Sequence, residues 1–104
     1  MHDLGGAIMN REIILQILRT YKEEAGPRYG ITALGVFGSA ATGQATDESD
    51  VDVVIKTKTP NLFVLSRVRQ ELEERLVRHV DLVRYRESMN PFLKNRIDRD
   101  AHYV

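Results

Sequence analysis

The sequence contains no cysteine, few aromatic residues, no excess of either charge and no long apolar run. Because there is no thiol, a disulfide scaffold, a cysteine-based zinc site and a cysteine nucleophile are all excluded. Fifteen basic and fifteen acidic side chains cancel, so overall charge attracts the chain neither to nucleic acid nor to a membrane surface. No apolar run approaches the ~20 residues that cross a bilayer. Aromatic residues make up 7% and do not alternate with basic residues, so the pattern of a nucleic-acid platform is missing.

What remains is an ordinary globular composition in a chain of 104 residues, which is the length of one domain. We expect residues 1–9 to be a flexible N-terminal tail and residues 10–104 to be a single domain. The first ten residues lack the basic start and the apolar stretch of a signal peptide. We therefore expect a cytoplasmic protein with no membrane association and no direct binding to nucleic acid.

The spacing of apolar residues in the first half of the chain predicts one helix and two strands. The helix begins after Asn10, which can cap it, and ends at Gly26-Pro27. Residues 31–37 form a short strand that is apolar on both faces. Residues 38–43 are small and form a tight turn or a single helical turn, and residues 51–56 form the second strand.

The second half of the chain predicts a helix, a strand and a helix. Pro60-Asn61 opens a helix whose apolar residues recur every three or four positions, and a third strand follows at residues 79–84. Asn90-Pro91 opens the last helix. The apolar face of this last helix consists of Leu93, Ile97, Ala101 and Val104. The whole order predicts an α+β fold, an α/β sandwich in which helices pack on a small mixed β-sheet.

The segment GSAATGQATDESDVDVVI, residues 38–55, carries the chemical signal. Asp50 and Asp52 project from the same face of the second strand, with Cα atoms about 6.5 Å apart. Two such carboxylates repel unless a cation lies between them, and Mg²⁺ takes one or two carboxylates together with substrate phosphates. Gly38-Ser39 supplies bare backbone and a hydroxyl that can lie against a phosphate. The alternative is that the two aspartates form a solvated strand end after a polar turn.

Gly38-Ser39, ten intervening residues and then Asp50-Val51-Asp52 resemble the GS-x10-D-x-D signature of the DNA polymerase β-type nucleotidyltransferase superfamily. The helix before this motif and the helix, strand and helix after it resemble the minimal nucleotidyltransferases, over about Asn10 to Val104. The resemblance implies a polymerase β-like nucleotidyltransferase fold for the whole domain.

The resemblance also implies a set of site residues, including a third carboxylate on a later strand. Asp81 matches that carboxylate, which in the family helps to hold the catalytic metal and can accept the proton of the attacking hydroxyl. The implied catalytic residues and ligands of two Mg²⁺ ions are Asp50, Asp52 and Asp81. The implied nucleotide-binding residues, with ATP as substrate, are Gly38, Ser39 and Ser49. The alternative for Asp81 is an ordinary charge on an edge strand that points to water.

The sequence departs from the family at one position of the turn. Many relatives carry arginine there, in the pattern GS-x-A-R-G, and this chain has Thr42. A guanidinium at that position can bind phosphate through two hydrogen bonds, so its absence puts nucleotide affinity in question. Arg84 and Arg86, just after the third strand, are the candidates for a replacement charge.

The function implied by the resemblance is Mg-dependent transfer of AMP from ATP to a hydroxyl. Minimal nucleotidyltransferases are commonly antitoxins, and their partner is a HEPN-domain ribonuclease toxin that is silenced by adenylylation of a tyrosine. One alternative is a non-catalytic antitoxin that neutralises the toxin by steric binding. Another is a small-molecule nucleotidyltransferase that a second subunit completes.

Chain length bears on the acceptor. A chain of 104 residues leaves little room for an acceptor pocket, so we expect the acceptor to arrive on another macromolecule. Arg96, Arg99 and Tyr103, at the ends of the last helix, are the candidate docking surface.

Overall fold

The computed structural model describes residues 10–43 and 50–104, which form four helices and a four-stranded mixed sheet. The elements are α1 (Arg11–Tyr29), β1 (Ile31–Phe37), α2 (Ser39–Thr42), β2 (Val51–Thr57), α3 (Leu62–Leu76), β3 (Val80–Arg84), α4 (Pro91–Asp100) and β4 (His102–Tyr103). This architecture confirms the predicted α+β class. In the described ranges, no helix combines the length and the apolar character needed to cross a membrane. The predicted tail, residues 1–9, lies outside the described residues.

The strands lie in the order β3-β2-β1-β4. β1 is antiparallel to β2 and to β4, whereas β2 and β3 run parallel. The parallel register places Asp52 directly beside Asp81, and the antiparallel register places Phe37 on the other side of Asp52. The two parallel strands therefore begin at the same end of the sheet, next to the end of β1.

Each face of the sheet packs on different helices, because side chains alternate along the strands. One face packs against α1 and α3. Its fully buried members include Leu34, Val36, Val53 and Ile55 from the strands and Ile14, Leu18, Val68, Leu72 and Leu76 from the helices. The other face packs against α4 and the turn before it, through a smaller cluster of Phe37, Val54, Met89 and Ile97. α4 thus covers the face that also carries Asp52.

The prediction that the first helix ends at Gly26-Pro27 is wrong. α1 continues through Pro27 to Tyr29 and ends at Gly30, which has φ of 69° and whose N–H bonds to the Gly26 carbonyl. A proline this close to the helix end removes only one backbone hydrogen bond. The buried Ala25 and Gly26 hold the last turns against the protein, so packing outweighs the local preference.

The prediction that the last helix carries Ala101 and Val104 is also wrong. α4 ends at Asp100, and the following residues form β4, which pairs with the edge of β1 opposite Gly35 and Val36. A Cβ at Gly35 would come within 2.5 Å of the His102 carbonyl oxygen, so a glycine at this position leaves room for β4. β4 thereby satisfies backbone groups that an open sheet edge would expose.

The end of α3 offers a stability test. Val77 has φ of 54°, and its side chain is 83% exposed. A residue with a Cβ loses about 1–2 kcal/mol in this left-handed conformation, and a glycine does not. We expect Val77→Gly to stabilise the protein by about 1 kcal/mol, measured by urea unfolding, because little packing is lost. Val77→Ala keeps a Cβ and should gain less; a Val77→Gly protein that is less stable than the wild type would contradict this explanation.

Candidate active site

The structure brings two of the predicted carboxylates together on one face of the sheet and places the third close to them. Asp52 and Asp81 occupy matching positions on the adjacent parallel strands β2 and β3. Asp50 immediately precedes β2, and its negative charge acts on Asp52. Asp52 is partly buried, whereas Asp50 and Asp81 are exposed on either side of it. In this cluster, therefore, water reaches Asp50 and Asp81 more easily than it reaches Asp52.

The pKa of Asp52 is raised above the ordinary value for an aspartate. The largest cause is burial, which removes water from the charged form, and the second is the negative charge of Asp81. The positive charge of Arg96 opposes this rise, and the charge of Asp50 adds to it. Asp52 thus lies where negative charges repel each other, and a bound cation would relieve that repulsion.

The Gly38-Ser39 turn lies directly against Asp52. Gly38 has φ of 69° and ψ of −148°, a conformation that is essentially restricted to glycine. Its carbonyl accepts hydrogen bonds from the backbone N–H groups of Ala41 and Thr42, at 3.1 and 3.2 Å, which starts the single turn α2. A Cβ at position 38 would overlap a carboxylate oxygen of Asp52. Gly38 is therefore needed both for the turn and for the space beside Asp52, while the predicted contact Ser49 lies outside the described residues.

Thr42 does not replace the charge of an arginine. Its hydroxyl donates back to the carbonyls of Gly38 and Ser39, at 3.3 and 3.4 Å, and so serves α2 itself. Arg84 lies three residues after Asp81 on β3, so alternation places its side chain on the opposite face of the sheet. Arg84 and Arg86 line a groove of about 520 Å³ between β3 and the first turns of α3 and α4. We therefore do not assign Arg84 to the carboxylate face.

The sequence reasoning assigned Arg96 to the docking surface and did not predict that it lies beside the carboxylates. The guanidinium carbon of Arg96 lies 5.7 Å from the centre of the Phe37 ring, and the Arg96 charge partly offsets the rise in the pKa of Asp52. The sequence feature that could have indicated this position of Arg96 is its neighbour Ile97, an apolar residue of the last helix. Ile97 is buried with Phe37 and fixes α4 on the carboxylate face. The predicted docking set also separates: Tyr103 lies in β4, where its ring is 5.4 Å from the Lys56 ammonium.

The acidic donors fit a divalent cation that binds together with a nucleotide. No three histidine, aspartate or glutamate side chains within residues 10–43 and 50–104 are arranged to hold an ion by themselves. Asp52 and Asp81 nonetheless offer carboxylate oxygens on one face, the charge of Asp50 acts on the same place, and Mg²⁺ usually completes its coordination with substrate phosphates and water. The neighbouring Gly38 backbone is where such phosphates could lie.

Carboxylates from two adjacent strands, next to a glycine-serine turn, form the arrangement that the resemblance to the nucleotidyltransferase class implies. The comparison with known families agrees, since residues 12–104 match the family described as Polymerase beta, Nucleotidyltransferase. The chain belongs to this family. It is 33% identical over 99 residues to the protein adenylyltransferase MntA of Thermococcus cleftensis, which covers 94% of this chain and 99% of that protein.

Solved structures give the same result. The chain resembles a candidate minimal nucleotidyltransferase with a TM-score of 0.74 and 29% identity, over 92% of this chain and 97% of that one. It also shares its fold with a chain in the complex of the tri-AMPylated Shewanella oneidensis HEPN toxin with the MNT antitoxin. That match has a TM-score of 0.57 and 20% identity, over 90% of this chain and 67% of that one. The identification as a minimal nucleotidyltransferase, and hence as an enzyme of this class, is confirmed.

Proposed function

We propose that this chain is a Mg²⁺-dependent protein adenylyltransferase that moves AMP from ATP to a tyrosine of a HEPN-domain toxin and thereby acts as its antitoxin. The observation that carries the proposal is the placement of Asp52 beside Asp81, against the Gly38 turn. The name of the Thermococcus relative and the HEPN toxin complex among the structural matches support the choice of a protein acceptor. The reaction belongs in the cytoplasm, where ATP is available.

In this proposal the turn and the carboxylates divide the binding of the nucleotide. Backbone N–H groups near Gly38 and the hydroxyl of Ser39 hold the terminal phosphates, with Ser49 as a further contact taken from the sequence pattern. Asp50, Asp52 and Asp81 would hold two Mg²⁺ ions. Bound Mg²⁺ neutralises phosphate charge and polarises the phosphorus-oxygen bonds. Most of the rate acceleration then comes from positioning and charge neutralisation, as in phosphoryl transfer generally.

Asp81 takes the proton of the acceptor hydroxyl. β3 is at the edge of the sheet, and Asp81 is exposed there, so an acceptor can approach it from outside the molecule. The hydroxyl oxygen forms a bond to the α-phosphorus, its proton passes to the Asp81 carboxylate, and the bond from the α-phosphorus to the leaving pyrophosphate oxygen breaks. The products are an AMP ester of the acceptor and pyrophosphate.

The surface around Asp81 favours a protein acceptor over a small molecule. A groove of about 440 Å³ is lined by Asp81 together with Leu62 and Leu65. Leu62 is 82% exposed, and the neighbouring Phe63 is 88% exposed. Exposed apolar residues grouped beside a groove are typical of protein contacts. We therefore assign the docking of the toxin to this edge of the sheet, in place of the predicted surface around Arg99.

The proposal is tested by coexpressing the chain with the product of its adjacent gene, which this proposal requires to be a HEPN-domain protein. We expect intact-mass spectrometry to find the partner heavier by whole multiples of an adenylyl group, and its ribonuclease activity to be lost. As a control, Glu74→Gln removes the charge of an exposed carboxylate on α3 and should leave the added mass unchanged. A partner that is silenced without any added mass would replace the enzyme proposal by steric neutralisation.

A further inference from the structure

We propose that Arg96 of α4 binds the terminal phosphates of the nucleotide and so supplies the positive charge that the turn lacks at Thr42. The inference rests on the proposed function, because it assigns a role at the same nucleotide site. It concerns a residue that lies 58 positions after Gly38 in the chain and reaches the site only through the packing of α4.

The Arg96 guanidinium lies close to the Gly38 turn. Its Nη2 atom lies 3.4 Å from the point that a Cβ of Gly38 would occupy. The guanidinium therefore lies over the bare backbone of the turn, and its charge reaches the Asp52 carboxylate. Any phosphate that approaches the Gly38 backbone meets this group.

Neighbouring groups restrict the position of the Arg96 side chain. Its guanidinium carbon lies 5.7 Å from the centre of the Phe37 ring, a cation–π distance that restricts where the long side chain can go. The next residue, Ile97, is fully buried against the sheet and fixes the rotation of α4. Arg96 is thus held over the site before a ligand arrives, which lowers the entropy lost on binding.

Arg96 and Arg99 differ in whether their guanidinium groups are already paired with a carboxylate. Arg99, on the same helix, uses its guanidinium in two hydrogen bonds to Asp100, at 3.0 and 3.1 Å. Arg96 forms no salt bridge with any residue in the described part of the chain, and it is exposed. Among the described residues its donors therefore meet no acidic partner and are available to a ligand.

Electrostatics favour a phosphate as that ligand. Three carboxylates close together repel a triphosphate, and a guanidinium beside them offsets part of that repulsion. A guanidinium also binds two phosphate oxygens at once through parallel hydrogen bonds. Because the Gly38-Ser39 turn is assigned to the terminal phosphates, Arg96 contacts the part of ATP that leaves as pyrophosphate.

The test compares Arg96→Met, which keeps an unbranched apolar side chain and removes the guanidinium charge, with Arg96→Lys. Isothermal titration calorimetry measures the binding of ATP, AMP and inorganic tripolyphosphate, each with Mg²⁺. We expect Arg96→Met to weaken the binding of ATP and tripolyphosphate about tenfold to a hundredfold and to leave the binding of AMP unchanged. Arg96→Lys should recover part of the loss. Arg19→Met, an exposed change on α1 at the other face of the sheet, should alter none of the three.

The outcomes separate this role from the proposed function. If the wild-type chain binds ATP and Arg96→Met binds it equally well, the role of Arg96 is wrong and the proposed function stands. If Arg96→Met weakens the binding of ATP and the binding of AMP to the same extent, Arg96 only supports the structure of the site. If the wild-type chain binds neither ATP nor tripolyphosphate, both proposals fall together.

Discussion

Asp52→Asn should lower the transfer of AMP by about a hundredfold or more while the protein becomes slightly more stable. The amide can neither carry the negative charge needed for Mg²⁺ nor repel Asp81, so activity and stability change in opposite directions. The measurement combines the rate of adenylyl transfer to the partner with the thermal midpoint of the isolated chain. A lower transfer rate together with a lower thermal midpoint would show that Asp52 has a structural role instead.

The gain in stability should depend on pH in a defined direction. The folded chain holds the proton of Asp52 more tightly than the unfolded chain does, because its pKa is raised. Stability from this group is therefore fully present below the unfolded pKa, about 3.9, and is lost as the pH rises through the higher folded value. Asp52→Asn should raise the midpoint by a few degrees at neutral pH and have little effect at acidic pH.

Asp100 provides the matched control for this pH dependence. Its pKa is lowered, chiefly by the hydrogen bonds from Arg99, so its stabilising effect is present at neutral pH and is lost as the pH falls through the folded pKa. Asp100→Asn should lower the midpoint at neutral pH, opposite to Asp52→Asn. If both variants shift the midpoint in the same direction at neutral pH, the repulsion assigned to Asp52 is not the cause.

Gly38→Ala should reduce adenylyl transfer about a hundredfold, because the added methyl group displaces the Asp52 carboxylate from its position beside the turn. The effect should appear equally in the binding of Mg²⁺ and ATP, measured by calorimetry. Gly43→Ala is the control, since Gly43 also has a positive φ, of 79°, but a Cβ there meets no atom of the described residues within 4 Å. Both variants carry backbone strain, and only Gly38→Ala changes the site. Similar losses in the two variants would mean that strain alone explains the effect.

The sequence by itself determined the features that depend on neighbouring residues. The strand at residues 31–37 has the predicted bounds. Asn10 and Asn90 cap their helices through side-chain oxygens that accept backbone N–H bonds, as their positions predict. The spacing of Asp50 and Asp52 predicts a shared face by alternation along a strand; Asp52 lies in β2, and Asp50 immediately precedes it. These features follow from local geometry, which a single segment carries with it.

Only the tertiary structure decided how distant segments meet. Asp81 lies beside Asp52 because β2 and β3 pair in one particular parallel register, and a shift by one residue would turn Asp81 to the other face. Arg96 reaches Gly38 because Ile97 anchors α4 on the sheet. β4 forms where a helix was predicted because the edge of β1 offers unpaired backbone groups and Gly35 leaves room. Local propensity cannot predict these outcomes, because each depends on a partner segment that is far away in the chain.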